Sequence, residues 1–240
     1  MDTPARTPPL TFHYRFEFDH GSAKEFEIRL DPDTLALLDT PAGPHPEWTR
    51  LDNHRCANCP LAGKAEYCPV AVNLAHVIES FKTTDSFEEA MVTVTTRDRS
   101  YSRRAAVPRA LSSIVGIYNV TSGCPVLDRL RPMVRFHLPF ATAKETTYRA
   151  LSMYLLQQLF EMRRGRTPDW ELKGLAEMYD TIADVELGLA MRFRAASHAD
   201  ASVNAVIVLA VFGAEVRMLI DRQLEEIESW FPASSSNPEP

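Results

Sequence analysis

The sequence predicts an α+β protein, a small antiparallel sheet near the N-terminus joined to a C-terminal region of three helices. Three observations carry this expectation. Apolar and polar residues alternate through positions 12–30. Thirteen of the 17 prolines fall at or before Pro139, and none lies between Pro168 and Pro232. Beyond residue 140, apolar residues recur at helical spacing. At 240 residues, with 45% hydrophobic and 24% charged, the chain is long enough to bury a substantial core.

Element by element, residues 1–10 read as a disordered lead-in and 11–139 as an α+β part that bears the cysteines. Phe12, Tyr14, Phe16 and Phe18 alternate with His13, Arg15 and Glu17. After Asp19-His20-Gly21-Ser22, Phe26, Ile28 and Leu30 alternate with Glu25, Glu27 and Arg29. The pattern is a β-hairpin with one apolar face. Two strands alone are marginal, so that face must pack on something. Asp31-Pro32-Asp33 predicts a short helix with Asp31 as N-cap. A helix follows from Pro69, with Val70, Leu74, Val77, Ile78 and Phe81 on one face. Ala90–Thr96 reads as a third strand. Pro108 opens a helix that stops before Thr121-Ser122-Gly123, and Phe136-His137-Leu138 reads as a strand carrying a structural histidine.

Residues 140–231 read as a helical part packed on the first, and 232–240 as a disordered tail. Thr142-Ala143-Lys144-Glu145 is a capping box for a helix running to about Arg163, ended by Gly165. Thr167-Pro168-Asp169 predicts the start of a second helix reaching about Ala196. A third is expected from about Asp200 to Trp230.

Several function classes are disfavoured. The net charge of −6 and pI near 5.7 speak against a general polyanion binder. The opening MDTPARTPPL has no secretory h-region. The most apolar stretch, Ala201 to Ile220, is interrupted by Asn204, Glu215 and Arg217, which predicts a core or homodimer-interface helix and no membrane span. A cytoplasmic location follows as the expectation. No dinucleotide, P-loop, zincin or nucleophile-elbow motif occurs.

The chemistry-bearing feature is the cysteine set Cys56, Cys59, Cys68 and Cys124. Clustered cysteines in a reducing compartment point to metal or redox chemistry ahead of disulfides. Two thiolates at Cys-x2-Cys spacing fall on one side of a turn and reach one centre. Four cysteines match the ligand count of a tetrathiolate zinc site or a cubane iron–sulfur cluster. Structural zinc usually brings its second pair at close spacing too, whereas Cys68 and Cys124 each stand alone. Three of the cysteines precede proline: Cys59-Pro60, Cys68-Pro69 and Cys124-Pro125. Proline favours the first helical position, so Cys68 and Cys124 are expected as N-caps, facing free N–H groups that stabilise thiolates. The expected cofactor is therefore an iron–sulfur cluster, [4Fe–4S], serving electron transfer or redox sensing with an unknown redox or protein partner. The alternative is zinc in a structural interaction module without catalysis. His54 is a substitute ligand in either case, and Cys124 as plain core filler is the bland reading.

An arginine-rich stretch lies beside this set. Arg97, Arg99, Arg103, Arg104, Arg109, Arg129, Arg131 and Arg135 face only Asp98 and Asp128 within 97–135, which makes the segment +6 in a chain of −6. Arg97, Arg99, Arg103, Arg104 and Arg109 are candidate anion contacts, against a solvated surface paired to acidic neighbours. Nucleic-acid binding is not favoured, since no recognition helix is evident. Taken with the hairpin opening, the segments Arg55-Cys56-Ala57-Asn58-Cys59-Pro60-Leu61, Tyr67-Cys68-Pro69-Val70 and Gly123-Cys124-Pro125 resemble a set of uncharacterised bacterial proteins of unknown function. The resemblance covers most of the chain and implies no activity.

Overall fold

The structure is a computed structural model that describes residues 7–222 and 224–232. The expected hairpin is β1 (Leu10–Phe18) and β2 (Ala23–Leu30), antiparallel, with Tyr14 opposite Phe26 and Arg15 opposite Glu25. A third strand, β3 (Glu89–Thr95), adds to the other side of β1, and β4 (Ser100–Ala106) adds to β3. The result is a four-stranded antiparallel sheet in the order β2-β1-β3-β4. The alternation puts Phe12, Tyr14, Phe16, Ile28, Val92 and Val94 on one buried face. The opposite face carries Arg15, which ion-pairs with Glu17 and Glu25.

Two helices cover the apolar face. In α1 (Pro69–Ser80), Cys68 is the N-cap and Pro69 the first residue, as the Cys-Pro pair predicted. Phe81, just past its end, packs its ring 5.1 Å from Phe16 and 5.6 Å from Phe26. On α2 (Val107–Thr121), Ser113 meets the Tyr14 hydroxyl at 3.0 Å. The C-terminal helices are α3 (Ala143–Arg163), α4 (Lys173–Ala196) and α5 (Ala201–Asp221), closed by a single turn, α6 (Glu225–Glu228). The α3 capping box forms in full, with Thr142 and Glu145 bonding each other's backbone N–H. Helix α5 packs against α2, α3 and α4. Buried hydrophobic residues from Phe12 to Ile227 form one cluster, so both parts share a core.

Five local expectations are corrected and one strand is added. No helix follows Asp31: its carboxylate accepts from the N–H groups of Asp33 and Thr34, an Asx turn, and the chain doubles back until Leu37 bridges Leu30. Strand β4 was hidden because Ser100–Ala106 is arginine-bearing and lacks apolar alternation, which suits a sheet edge. His137 follows a 3-10 helix over Leu127–Phe136 instead of lying in a strand. Helix α4 starts at Lys173, not near Pro168, because Asp169 accepts from the Gly174 N–H and the Tyr154 hydroxyl and Leu172 turns left-handed. The third helix breaks after Asp221, where Leu224 is left-handed (φ 61°) and its N–H reaches back to Leu219. Leu10, expected in the lead-in, begins β1. The expectations for 1–6 and 233–240 lie outside the described residues. Among the described residues, α5 is the helix long and apolar enough to cross a membrane by length and composition alone. Its three polar interruptions therefore weigh less than the sequence reading gave them.

Candidate metal centre

Cys56, Cys59, Cys68 and Cys124 all line one small cavity of about 20 Å³. Separate pieces of local structure bring them there. Cys56 and Cys59 sit across a tight turn in which the Cys59 N–H donates to the Cys56 carbonyl at 3.2 Å. The Asn58 amide pins this turn to α4 by donating to the Thr181 carbonyl at 2.7 Å. Cys68 is placed by its N–H, which donates to the Thr49 carbonyl at 2.8 Å, and by the start of α1. Cys124 follows Gly123, whose φ of +85° lets the chain leave α2 sharply. Its carbonyl accepts from the Asp128 N–H at 2.9 Å, and Val126 rather than Cys124 is the N-cap of the 3-10 helix.

All four cysteines are free. Cys56 and Cys68 are buried, while Cys59 and Cys124 are half-buried. The remaining wall is mostly apolar: Leu51, Pro60, Leu61, Val70, Val185 and Leu189. Burial pushes the Cys56 thiol up to about 11; the other cysteines add to the shift and Arg192 opposes it. Burial also raises Cys124, against the N–H groups of Leu127 and Val126, which favour its thiolate. Left alone, these two thiols keep their protons at neutral pH. A metal that binds them must displace protons, so its affinity rises with pH.

The main electrostatic feature here came from outside the arginine-rich stretch. Arg192 on α4 lines the cavity and is 1% exposed. It donates to three carbonyls, those of Trp48 (3.2 Å), Arg50 (2.5 Å) and Leu51 (2.6 Å). Among the described residues its Nε has no partner and no carboxylate pairs with it. A buried guanidinium without a counterion is costly unless an anion completes it. Four thiolates around a metal supply such an anion. Gly188, one turn earlier on α4, is the second missed residue. A Cβ there would lie 2.7 Å from the Cys56 sulfur, so only glycine lets the helix approach the ligand turn. The Cys56 sulfur also faces the Val185 carbonyl at 3.8 Å. One signal for Arg192 was visible: it continues the spacing of Val185 and Leu189, an arginine where the helix's apolar stripe calls for a hydrophobic residue.

The residues thus fit a thiolate-held group in donor type, number and counter-charge. Among the described residues, no three His, Cys, Asp or Glu side chains form a group that could hold a metal ion as placed. His54, the substitute ligand, does not line the cavity.

The arginine candidates disperse. Arg104 pairs with Asp19 (2.6 and 2.9 Å) and Glu89 (3.0 Å) on the sheet edge. Arg97 reaches Asp98 only at 4.0 Å, and Arg99 and Arg103 are exposed beside it. Arg109 alone turns inward, into a larger cavity of about 140 Å³ that Arg149 also lines. His137 lies in that cavity too, its Nε2 held by the Tyr14 hydroxyl (2.7 Å) and Ser113 (3.0 Å).

The fold and the smaller cavity define an α+β protein that brings three cysteines of residues 56–68 together with Cys124 beside helix α4. Residues 12–232 match the family described as a domain of unknown function, DUF6901, and the chain belongs to that family. No curated protein and no solved structure matches it.

Proposed function

We propose that Cys56, Cys59, Cys68 and Cys124 hold an iron–sulfur cluster, in the simplest case [4Fe–4S], and that the protein serves electron transfer or redox sensing in the cytoplasm. The observation that carries this is the meeting of all four cysteines at one apolar cavity beside the uncompensated Arg192. Three cysteines within residues 56–68 and a fourth, remote one at 124, rather than two close pairs, favour a cluster over structural zinc. The apolar wall would exclude water, and Arg192 would stabilise the more negative, reduced state of the cluster and raise its potential. Half-exposed Cys59 and Cys124 would leave one side of the cluster within reach of a redox partner.

Metal and acid-labile sulfide analysis of anaerobically purified protein tests the reading. About four iron and four sulfide per chain are expected, with loss of both in Cys124→Ser. One zinc per chain without sulfide overturns the cluster and makes the protein a zinc-stabilised interaction module. Neither metal overturns both.

A further inference from the structure

The larger cavity, about 140 Å³ and partly open, is walled by α2, α3, α4, α5 and the 3-10 segment before His137. Its volume is close to that of an engineered cavity of about 150 Å³ that takes up benzene. Most of the wall is apolar, including Leu130, Met133, Phe140 and Phe212. A purely apolar void would need no polar groups, yet four polar side chains here lack the partners their burial calls for.

Two are cations. Arg109 donates to the Ala141 carbonyl and Arg149 to the Met133 carbonyl, each at 2.6 Å, and among the described residues neither forms an ion pair. The carboxylate whose field reaches both, Glu145, is committed to the α3 capping box. The Arg109 guanidinium lies 4.7 Å from the centre of the Phe212 ring, an apolar wall beside a charge. The other two are buried without partners. Asn119 is 4% exposed and its Oδ1 accepts nothing. Glu186 is 8% exposed and has neither a hydrogen bond nor an ion pair, among the described residues, while lining the cavity.

We propose that this cavity binds a small apolar carboxylic acid, its carboxylate on Arg109 and Arg149 and its ring-sized hydrocarbon body among Leu130, Met133, Phe140 and Phe212. A carboxylate suits the site better than a phosphate. Each arginine already spends one N–H on the backbone, which leaves fewer donors than the three oxygens of a phosphate call for. Burial pushes the Glu186 carboxyl up to about 7, so it carries less than a full negative charge in the cavity at neutral pH. The inference goes beyond the cysteine reading and does not depend on it. The two cavities adjoin, however: on α4, Val185, Leu189 and Arg192 face the cysteines while Tyr179, Ile182 and Glu186 face this cavity.

Calorimetric titration of the full chain with benzoate, phenylacetate and hexanoate, against benzyl alcohol and hexanol, tests the proposal. At least one acid should bind saturably at one site, tenfold or more tighter than its alcohol. Arg109→Met and Arg149→Met should each weaken it at least tenfold, while Arg99→Met, exposed at the turn before β4, leaves it unchanged. Should Arg149→Met fail to fold, Arg109→Met and the acid–alcohol comparison in the wild type still decide. Acids that bind no tighter than alcohols, do not bind at millimolar concentration, or bind the two cavity variants as well as the wild type overturn it.

Discussion

The two cavities use adjacent faces of α4 and the same stretch of chain after Cys124, but they handle charge in opposite ways. The cysteine cavity buries one cation, Arg192, and surrounds it with backbone carbonyls and cysteine side chains. The larger cavity buries a carboxyl, Glu186, and is lined by two arginines from other helices, with no bond between carboxyl and arginine among the described residues. Arg192 is held tightly before anything binds, so it serves first as a structural strut. Glu186, Arg109 and Arg149 keep hydrogen-bonding capacity in reserve, which is what a ligand site requires. One site is preorganised around a fixed charge, whereas the other waits for a partner to complete it.

The largest effect that would break this contrast is at Arg192. Arg192→Met keeps the apolar stem but strands three carbonyls, so a loss of about 3–5 kcal/mol is expected in urea unfolding of the metal-free protein. Arg109→Met loses one bond to the Ala141 carbonyl and should cost roughly 1 kcal/mol. Equal losses at the two arginines would end the distinction between a strut and a ligand contact.

The second effect lies in pH. The Glu186 carboxyl is raised to about 7 from the ordinary 4.5 by burial. The folded chain therefore keeps a proton that the unfolded chain releases above about 4.5, and its stability falls as pH rises from there to about 7. The full penalty, up to about 3 kcal/mol, is present above pH 7. His137 acts in the other direction: burial lowers it to about 3, so its share of stability is lost as pH falls below about 6.5. Tyr179 and Arg149 also line this wall, and both stay in one protonation state over that window. Glu186→Gln should thus gain on the wild type steadily between pH 4.5 and 7 in chemical denaturation. A constant difference would mean that Glu186 is paired or solvated after all.

The cysteine cavity was legible in the sequence in a way the other was not. Cys-x2-Cys and the Cys-Pro pairs mark residue types whose chemistry is narrow, so four letters sufficed to propose that they meet. The hairpin was legible because Phe12 to Leu30 alternate strictly, and α3 because Thr142 and Glu145 form a capping box. The larger cavity is built from residues on four helices and the 3-10 segment, and only tertiary packing assembles them. Arg109 was flagged for its neighbours in sequence, yet the other arginine that lines its cavity is Arg149, 40 positions on. Even so, α4 carried a readable hint at both sites. Glu186 and Arg192 interrupt an apolar stripe that includes Ile182, Val185, Leu189 and Phe193, and a charge in such a stripe has to be answered by something across from it. The helix boundaries at Leu172 and Leu224 were not legible, because apolar periodicity runs on through both while the backbone turns left-handed.

The smallest effects give the sharpest comparison, since they set one glycine of each cavity against the other. Gly188 and Gly116 both lie inside helices, where alanine is intrinsically favoured by roughly 0.5–1 kcal/mol. At Gly116, on the larger cavity, an added Cβ meets only the Leu209 side chain at 3.7 Å, an ordinary contact. Gly116→Ala should therefore raise stability by about the propensity term. At Gly188 the same atom would fall 2.7 Å from the Cys56 sulfur and 3.3 Å from its Cα. The ligand turn must move, and Gly188→Ala should lose a net ~1–2 kcal/mol, overpacking set against propensity. It should also reduce bound metal, which Gly116→Ala should leave alone. Thermal unfolding of both variants with metal analysis checks the pair. If both glycines gained stability as alanine, the close seat of Cys56 on α4 would be wrong, and the four cysteines would lose the contact that brings the first of them to the cavity.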